Sequence, residues 1–369
     1  LLAQWVFQGK GDMGSQISIR AGAQALDFIR ANGLPQESIK VMVGASGGPK
    51  WFVLSGLDKA LLGEYFRNRT SPLDLIGTSA GSWRFSCYGQ DDPLAAHERF
   101  EQGYLHTDYS EKPDPAEISH KARKLVENIV SPESVGQILN NPVFRFNLIA
   151  VRSHGLAASE RKSLQMVGLG FAATGNLINR KHLSSFFTRT LFYHPTYETS
   201  EKPAFYHASD LPTERVRLTE ANLVDAIMAS GSIPAVMQGV KNISGAPAGC
   251  YRDGGITDYH FDMRFHQGDG LVLYPHFYSK MIPGWFDKAL KHRRPLPQNT
   301  DNVVLVSPSQ AFVDQLPYRK IPDRNDFARF TYDERVRYWK RVVDETRRLG
   351  DEFLELVSSN KVREVVKPL

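Results

Sequence analysis

Residues Gly77-Thr78-Ser79-Ala80-Gly81 read G-x-S-x-G and directly follow the apolar run Leu73-Asp74-Leu75-Ile76. A short buried strand that ends in a sharp turn and passes into a helix lifts a serine hydroxyl above the edge of a sheet. There it can act as a nucleophile. The serine backbone at such a turn is strained, so small neighbours are needed. Gly77 and Gly81, two residues to either side of Ser79, let strand and helix approach. Residues 82–88 can continue as that helix. The plainer reading is a tight turn with a solvent-facing serine.

A second segment lies upstream. Residues 39–43 form another apolar run, which leads into Gly44-Ala45-Ser46-Gly47-Gly48-Pro49-Lys50 and then Trp51-Phe52-Val53-Leu54, the expected start of a helix. Pro49 suits a first helical turn, where no N–H is needed. Glycines at a strand-to-helix junction leave backbone N–H groups bare, and the helix start adds positive potential, so the loop can hold an anion. In acyl transfer that anion is the oxygen of the attacked carbonyl. Lys50 adds a fixed positive charge. A nucleotide-binding P-loop would need glycine before the lysine and a hydroxyl residue after it; Pro49 and Trp51 occupy those places.

The third segment is Cys250-Tyr251-Arg252-Asp253-Gly254-Gly255. It reads as a short strand ending in an acid, followed by two glycines. Alone it is a turn signal. With the other two segments, Asp253 becomes a candidate acid–base group for Ser79.

Taken in order, the three segments resemble the patatin-like phospholipase family: a glycine-rich oxyanion loop, then G-x-S-x-G, then D-G-[AG]. Residues Ala229-Ser230-Gly231-Ser232-Ile233-Pro234-Ala235 also look like the family, and the resemblance spans roughly residues 39–260. The family's loop usually carries a longer glycine run followed by arginine. Here Ser46 and Pro49 interrupt it and Lys50 stands in the arginine's place, a point charge instead of a planar fork. The resemblance implies a lipid acyl hydrolase with a serine–aspartate dyad, Ser79 and Asp253. Its oxyanion donors would be the N–H groups of Gly47, Gly48 and Ala80, supported by Lys50. Gly77 and Gly81 would frame the nucleophile, and Gly254 and Gly255 would follow the acid. The implied substrate is a phospholipid or another acyl-ester lipid, and the chemistry requires no metal and no organic cofactor. Asp253 needs a raised pKa to serve as a base.

Two other readings stay open. One is a Ser–His–Asp esterase or thioesterase, since His260, His266 and His276 all follow Asp253 in the chain. The other is a catalytically idle lipid-binding or scaffold protein of the same fold.

The elements that must position these residues alternate strand and helix, which predicts an α/β protein with a mostly parallel central sheet and helices on both faces. Residues 20–32 read as a helix, and residues 4–8 as a first strand. Gly9 to Gly14 spell G-x-G-x-x-G, but the next strand carries no acid at its end, so a dinucleotide site is not expected. Residues 1–330 are read as the catalytic domain, with a helical insertion over roughly 91–200. Residues 331–369 form an amphipathic helix docked on the core, its first apolar face marked by Tyr332, Val336, Trp339, Val343 and Thr346. Thr219 is expected to cap a helix over 220–230.

The 369 residues carry a formal charge of +5. That excess suits an anionic membrane surface and is too diffuse for nucleic acid. The 2 cysteines, Cys87 and Cys250, make no disulfide framework, and Cys87 reads as a packed apolar residue. No run is long enough to span a membrane, and no signal peptide is visible. A soluble, cytoplasmic protein with peripheral membrane contact is the expectation. Residues 276–297, where Phe277, Tyr278, Met281, Ile282, Trp285 and Phe286 mix with Lys280, Lys288, Lys291, His292, Arg293 and Arg294, are read as the membrane-binding stretch.

Overall fold

The computed structural model describes residues 14–369. The expected strand over residues 4–8 and most of the Gly9–Gly14 motif lie outside the described residues. Eleven strands join one sheet: β1 (Ile17–Ala21), β2 (Ile39–Gly44), β3 (Leu73–Thr78), β4 (Phe144–Ser153), β5 (Phe187–Tyr193), β6 (Thr213–Arg217), β7 (Val240–Lys241), β8 (Cys250–Asp253), β9 (Leu271–Pro275), β10 (Val303–Pro308) and β11 (Lys367–Pro368). The main path runs β11-β1-β10-β9-β2-β3-β4-β5-β6. From β10 to β4 every pairing is parallel. Strands β2, β3, β9 and β10 are apolar and almost wholly buried, as a parallel sheet covered on both faces requires.

β4 organises the centre. β3 runs along one of its edges up to the pair Thr78–Ile149. β5 pairs with β4 from Leu148 to Ser153 and so takes the opposite edge. β8 pairs with Ala150 to Ser153 in the antiparallel sense and ends at Asp253 opposite Ala150. Since β5 holds the far edge, β8 continues the line of β3, and the two strands meet head to head. The residue after Thr78 is Ser79. Sheet register alone therefore brings Ser79 and Asp253, 174 positions apart, to one point.

Several local expectations are corrected. Residues 17–21 are β1, and the first helix begins at Ala23. The alternating burial of Ile17, Ile19 and Ala21 has period two and fits a strand. The element after the glycine-rich loop starts as a 3₁₀ turn, Gly48–Leu54, before the α-helix Ser55–Ala60. Thr219 is no cap; the helix Leu223–Ser230 is entered through Asn222, whose Oδ1 accepts the Thr219 N–H. Residues 91–200 contribute β4 and β5 to the sheet as well as helices such as Pro93–Leu105, Pro115–Ile129 and Lys162–Ile178.

The long helix Tyr332–Ser358 is capped by a reciprocal Thr331–Glu334 pair. It packs on the helix Ser55–Ala60, with Thr346 Oγ1 accepting the Gly56 N–H at 2.9 Å. Its buried face is rotated from the expected one. Arg335, Tyr338, Trp339, Val342 and Thr346 point inward, whereas Tyr332 is exposed and Val336 and Val343 are half-buried. In the stretch 276–297, Phe277 and Met281 belong to the core, and Arg293 is drawn into an ion pair with buried Asp287 at 3.2 Å. Among the described residues no helix is long and apolar enough to cross a membrane.

Candidate active site

Ser79 sits between β3 and the helix Ala80–Tyr88 with φ +52° and ψ −128°, a conformation that disfavours any side chain. Tight packing holds it there. A Cβ on Gly81 would lie 2.1 Å from the Gly44 carbonyl oxygen, so the Ser79 turn rests directly on the end of β2. The Ser79 N–H donates to Ser230 Oγ at 3.0 Å, and Ser230 Oγ donates to the Ile149 carbonyl at 2.7 Å. Ser230 thereby ties the strained turn to β4. It lies in the segment 229–235, but its role depends on a partner 151 positions away, which sequence spacing does not reveal.

The Ser79 hydroxyl donates to Asp253 Oδ2 at 2.8 Å. The other carboxylate oxygen, Oδ1, accepts the Gly255 N–H at 2.7 Å. Asp253 is 7% exposed. Burial raises its pKa to about 6, against the opposing pull of the Ser79 and Gly255 hydrogen bonds. No guanidinium or ammonium touches it among the described residues.

The glycine-rich loop curls beside this pair. Gly48 has φ +53°, the left-handed region open to glycine at low cost. Ser46 Oγ donates to Thr78 Oγ1 at 2.9 Å, and Thr78 Oγ1 donates to the Asp258 carbonyl at 3.0 Å. The loop is thus stitched to β3 through Ser46, the residue that interrupts the glycine run. Among the described residues, the N–H groups of Gly47, Gly48 and Ala80 have no protein acceptor, whereas that of Ser79 is taken by Ser230.

Two cavities meet at Ser79. The first, about 180 Å³, is lined by Gly47, Lys50, Asp253, Tyr259, Lys288 and Arg324 among others. The second, about 170 Å³, is walled by apolar groups including Trp83, Tyr104, Ile118, Leu125, Val236 and Phe327. Gly48, Ser79, Ile233 and Arg324 border both. The two cavities differ in charge. None of Lys50, Lys288 and Arg324 makes an ion pair among the described residues. Lys288 reaches solvent along its length, but its ammonium lies 3.9 Å from the centre of the Tyr259 ring. Burial, with Lys50 nearby, lowers its pKa to about 8. Burial also pushes the Lys50 ammonium down. Arg324 and the apolar cavity had no signature in the motif pattern, because the cavity's residues come from stretches far apart in the chain.

The histidines lie elsewhere. His260 and His276 are fully buried and pack against each other, with burial pushing both pKa values well down. His260 Nδ1 accepts the Ile282 N–H, and His276 Nδ1 meets the Tyr278 backbone. His266 is half-buried near Lys40. None hydrogen-bonds to Ser79 or Asp253, and none lines either cavity. Cys87 is buried, as expected for a packing residue, and burial drives its thiol pKa far up.

A strained strand–turn–helix serine, a buried carboxylate and a glycine-rich loop thus converge on one candidate site. A model of the patatin-like phospholipase family matches residues 42–260, more than half of the chain. The chain belongs to that family. No curated protein matches the sequence. Among solved structures, VipD from Legionella pneumophila is 11% identical with a TM-score of 0.32, over 78% of this chain and 57% of that one. Human GIVD cytosolic phospholipase A2 is 10% identical with a TM-score of 0.38, over 96% of this chain and 66% of that one. The chain therefore spans less than two thirds of either neighbour.

Proposed function

We propose that this protein hydrolyses the carboxylic ester of a phospholipid through a Ser79–Asp253 dyad. The observation that carries the reading is the 2.8 Å hydrogen bond from Ser79 Oγ to Asp253 Oδ2 at the strained turn. Asp253 takes the hydroxyl proton as Ser79 Oγ bonds to the ester carbonyl carbon. The negative charge that forms on the carbonyl oxygen is held by the N–H groups of Gly47, Gly48 and Ala80. Collapse of that intermediate breaks the carbon–oxygen bond to the leaving alcohol, which receives the proton from Asp253. The acyl group stays on Ser79. Asp253, ionised again, then takes a proton from water as its oxygen attacks the acyl carbon; the bond to Ser79 Oγ breaks, Oγ receives the proton back from Asp253, and a fatty acid is released.

The two cavities suggest how the substrate lies. The apolar one suits the acyl chain. The other, ringed by Lys50, Lys288 and Arg324, suits the glycerophosphate side with its anionic phosphate. A raised Asp253 pKa supports its role as base, since a carboxylate of ordinary pKa takes a serine proton poorly at neutral pH.

The test is Ser79→Ala. The variant should fold, lose labelling by a fluorophosphonate, and lose hydrolysis of a short-chain nitrophenyl ester by about 10⁴-fold or more. Turnover near wild type by the folded variant would contradict the nucleophile. A wild-type protein that neither hydrolyses the ester nor takes up the label would indicate an idle member of the family.

A further inference from the structure

The helix Lys162–Ile178 carries its polarity reversed. Its outward face holds Leu164, Met166, Val167, Phe171, Leu177 and Ile178, with Phe171 60% and Ile178 76% exposed. Its inward face holds Gln165 and Asn176, both buried, beside Gly168, Leu169 and Ala172. A helix packed on a core ordinarily does the opposite. Six large apolar side chains on one exposed helix face make a patch of the kind that monomers rarely leave in water.

We propose that this face seats the protein on an anionic lipid bilayer, beside the entrance to the Ser79 cavities. Its position supports this. Gln165 Oε1 accepts the Ala235 N–H at 2.6 Å, next to Ile233 and Pro234 of the cavity wall. Asn176 Nδ2 donates to Asp287 Oδ1 at 2.7 Å, between Trp285 and Lys288 of the same wall. Leu169 and Ala172 share one apolar cluster with Ile256 and Trp285, both cavity-lining. The helix is therefore fastened to the rim of the site by the polar residues it buries, which leaves the apolar ones to face outward.

Charge indicates what covers that face. Lys162 is the helix's one charged residue, and Arg161, Lys181, Lys291 and Arg294 stand exposed around it. The nearby acids are already engaged: Glu160 by Arg252, Asp210 by Arg189, and Asp287 by Arg293. An apolar face with a basic margin and no free acid complements a bilayer that presents anionic headgroups over hydrocarbon. A helix of this length and setting lies in the headgroup layer and does not span it. The membrane-facing role expected for residues 276–297 thereby moves mainly to another element. Lys291 and Arg294 keep a part at its margin.

The proposal rests on the lipid-hydrolase reading, so binding is measured apart from catalysis. The full chain carrying Ser79→Ala is sedimented with vesicles of phosphatidylglycerol and phosphatidylcholine. Adding Phe171→Gln and Ile178→Gln together should weaken binding by at least about tenfold. In the otherwise wild-type chain, the same pair should leave hydrolysis of a soluble nitrophenyl ester unchanged. Because both native cysteines are buried, an environment-sensitive dye on Phe171→Cys reports the face directly. It should brighten and shift to the blue on addition of vesicles, whereas the dye on exposed Glu355→Cys should not. Unchanged vesicle binding by the double variant, or a silent dye at position 171, would overturn the proposal. So would a wild-type dimer that the double variant dissociates, since a second copy would then cover the face. If the ester is not hydrolysed but the vesicle results hold, the catalytic reading fails and the surface stands.

Discussion

Two buried aspartates flank the same helix, Ala80–Tyr88, and meet opposite fates. Asp58 lies beside the middle of the helix, Asp253 at its head. Burial pushes the Asp58 carboxyl up, but Arg84 outweighs it. Arg84 donates through Nε at 2.7 Å and Nη2 at 2.5 Å, and Tyr88 and His97 add contacts at 3.0 and 3.3 Å. The net result holds Asp58 well below the usual carboxylate range. Asp253 is given only a hydroxyl and one N–H, and burial wins, lifting it to about 6. One helix therefore shows both uses of a buried carboxylate. With a guanidinium it is a strut, permanently charged. With neutral donors alone it becomes a group that can accept a proton near neutral pH.

The largest expected effect comes from exchanging each aspartate for its amide. Asp253→Asn should lower kcat/KM for ester hydrolysis by about 10²- to 10⁴-fold, the range for a general base. It should not cost stability. A carboxyl whose folded pKa of about 6 exceeds its ordinary 3.8 is stabilising when protonated and loses that contribution as pH rises through 6. At pH 8 the wild type thus carries a cost of about 3 kcal/mol that the amide escapes. Thermal melts should place Asp253→Asn at or above wild type at pH 8, with the gap closing toward pH 4. Asp58→Asn should do the reverse. It strands Arg84 in the core and should cost about 3–5 kcal/mol, while the folded fraction keeps most of its activity. If Asp253→Asn melts far below wild type and Asp58→Asn does not, the contrast is wrong.

Lys50→Met should have a smaller effect. The proposed oxyanion donors are backbone groups, so the loop should survive loss of the side chain and kcat should fall about tenfold. Complete inactivity with native folding would give Lys50 a direct part in the chemistry. Lys288→Met should do least at pH 7. Since the Lys288 ammonium loses its proton near pH 8, kcat/KM for an anionic phospholipid should decline above that pH in the wild type. That decline should be absent in the variant, and a pH profile over 5–10 checks it.

The parts of this account that were legible in the sequence are those fixed by local sterics. G-x-S-x-G after an apolar run, the bare glycines after β2 and the D-G-G after β8 each report a turn that admits few residues. The strand-end position of Asp253 followed from the same kind of signal. What escaped notice depends on contacts across the chain. Ser230 holds the Ser79 N–H, and Arg324 borders both cavities, yet neither stands in a pattern with its partner. The helix expected over 20–32 overruns the end of β1, although Ile17, Ile19 and Ala21 alternate. Within the expected helical insertion, nothing in the sequence tells which side of the helix Lys162–Ile178 faces inward. Gln165 and Asn176 find partners inside, and that choice is invisible until Ala235 and Asp287 are seen beside them.

The central claim, that Asp253 acts on Ser79 without a histidine, is tested most directly by the pH dependence of fluorophosphonate labelling at Ser79. The rate in the wild type should rise with pH along a single ionisation near 6, set by the buried Asp253 carboxyl. Substituting His260, His266 or His276 should leave that curve in place, and Asp253→Asn should flatten it to a slow, pH-independent rate. A curve that survives Asp253→Asn but vanishes in one of the folded histidine variants would contradict the dyad and replace it with a triad.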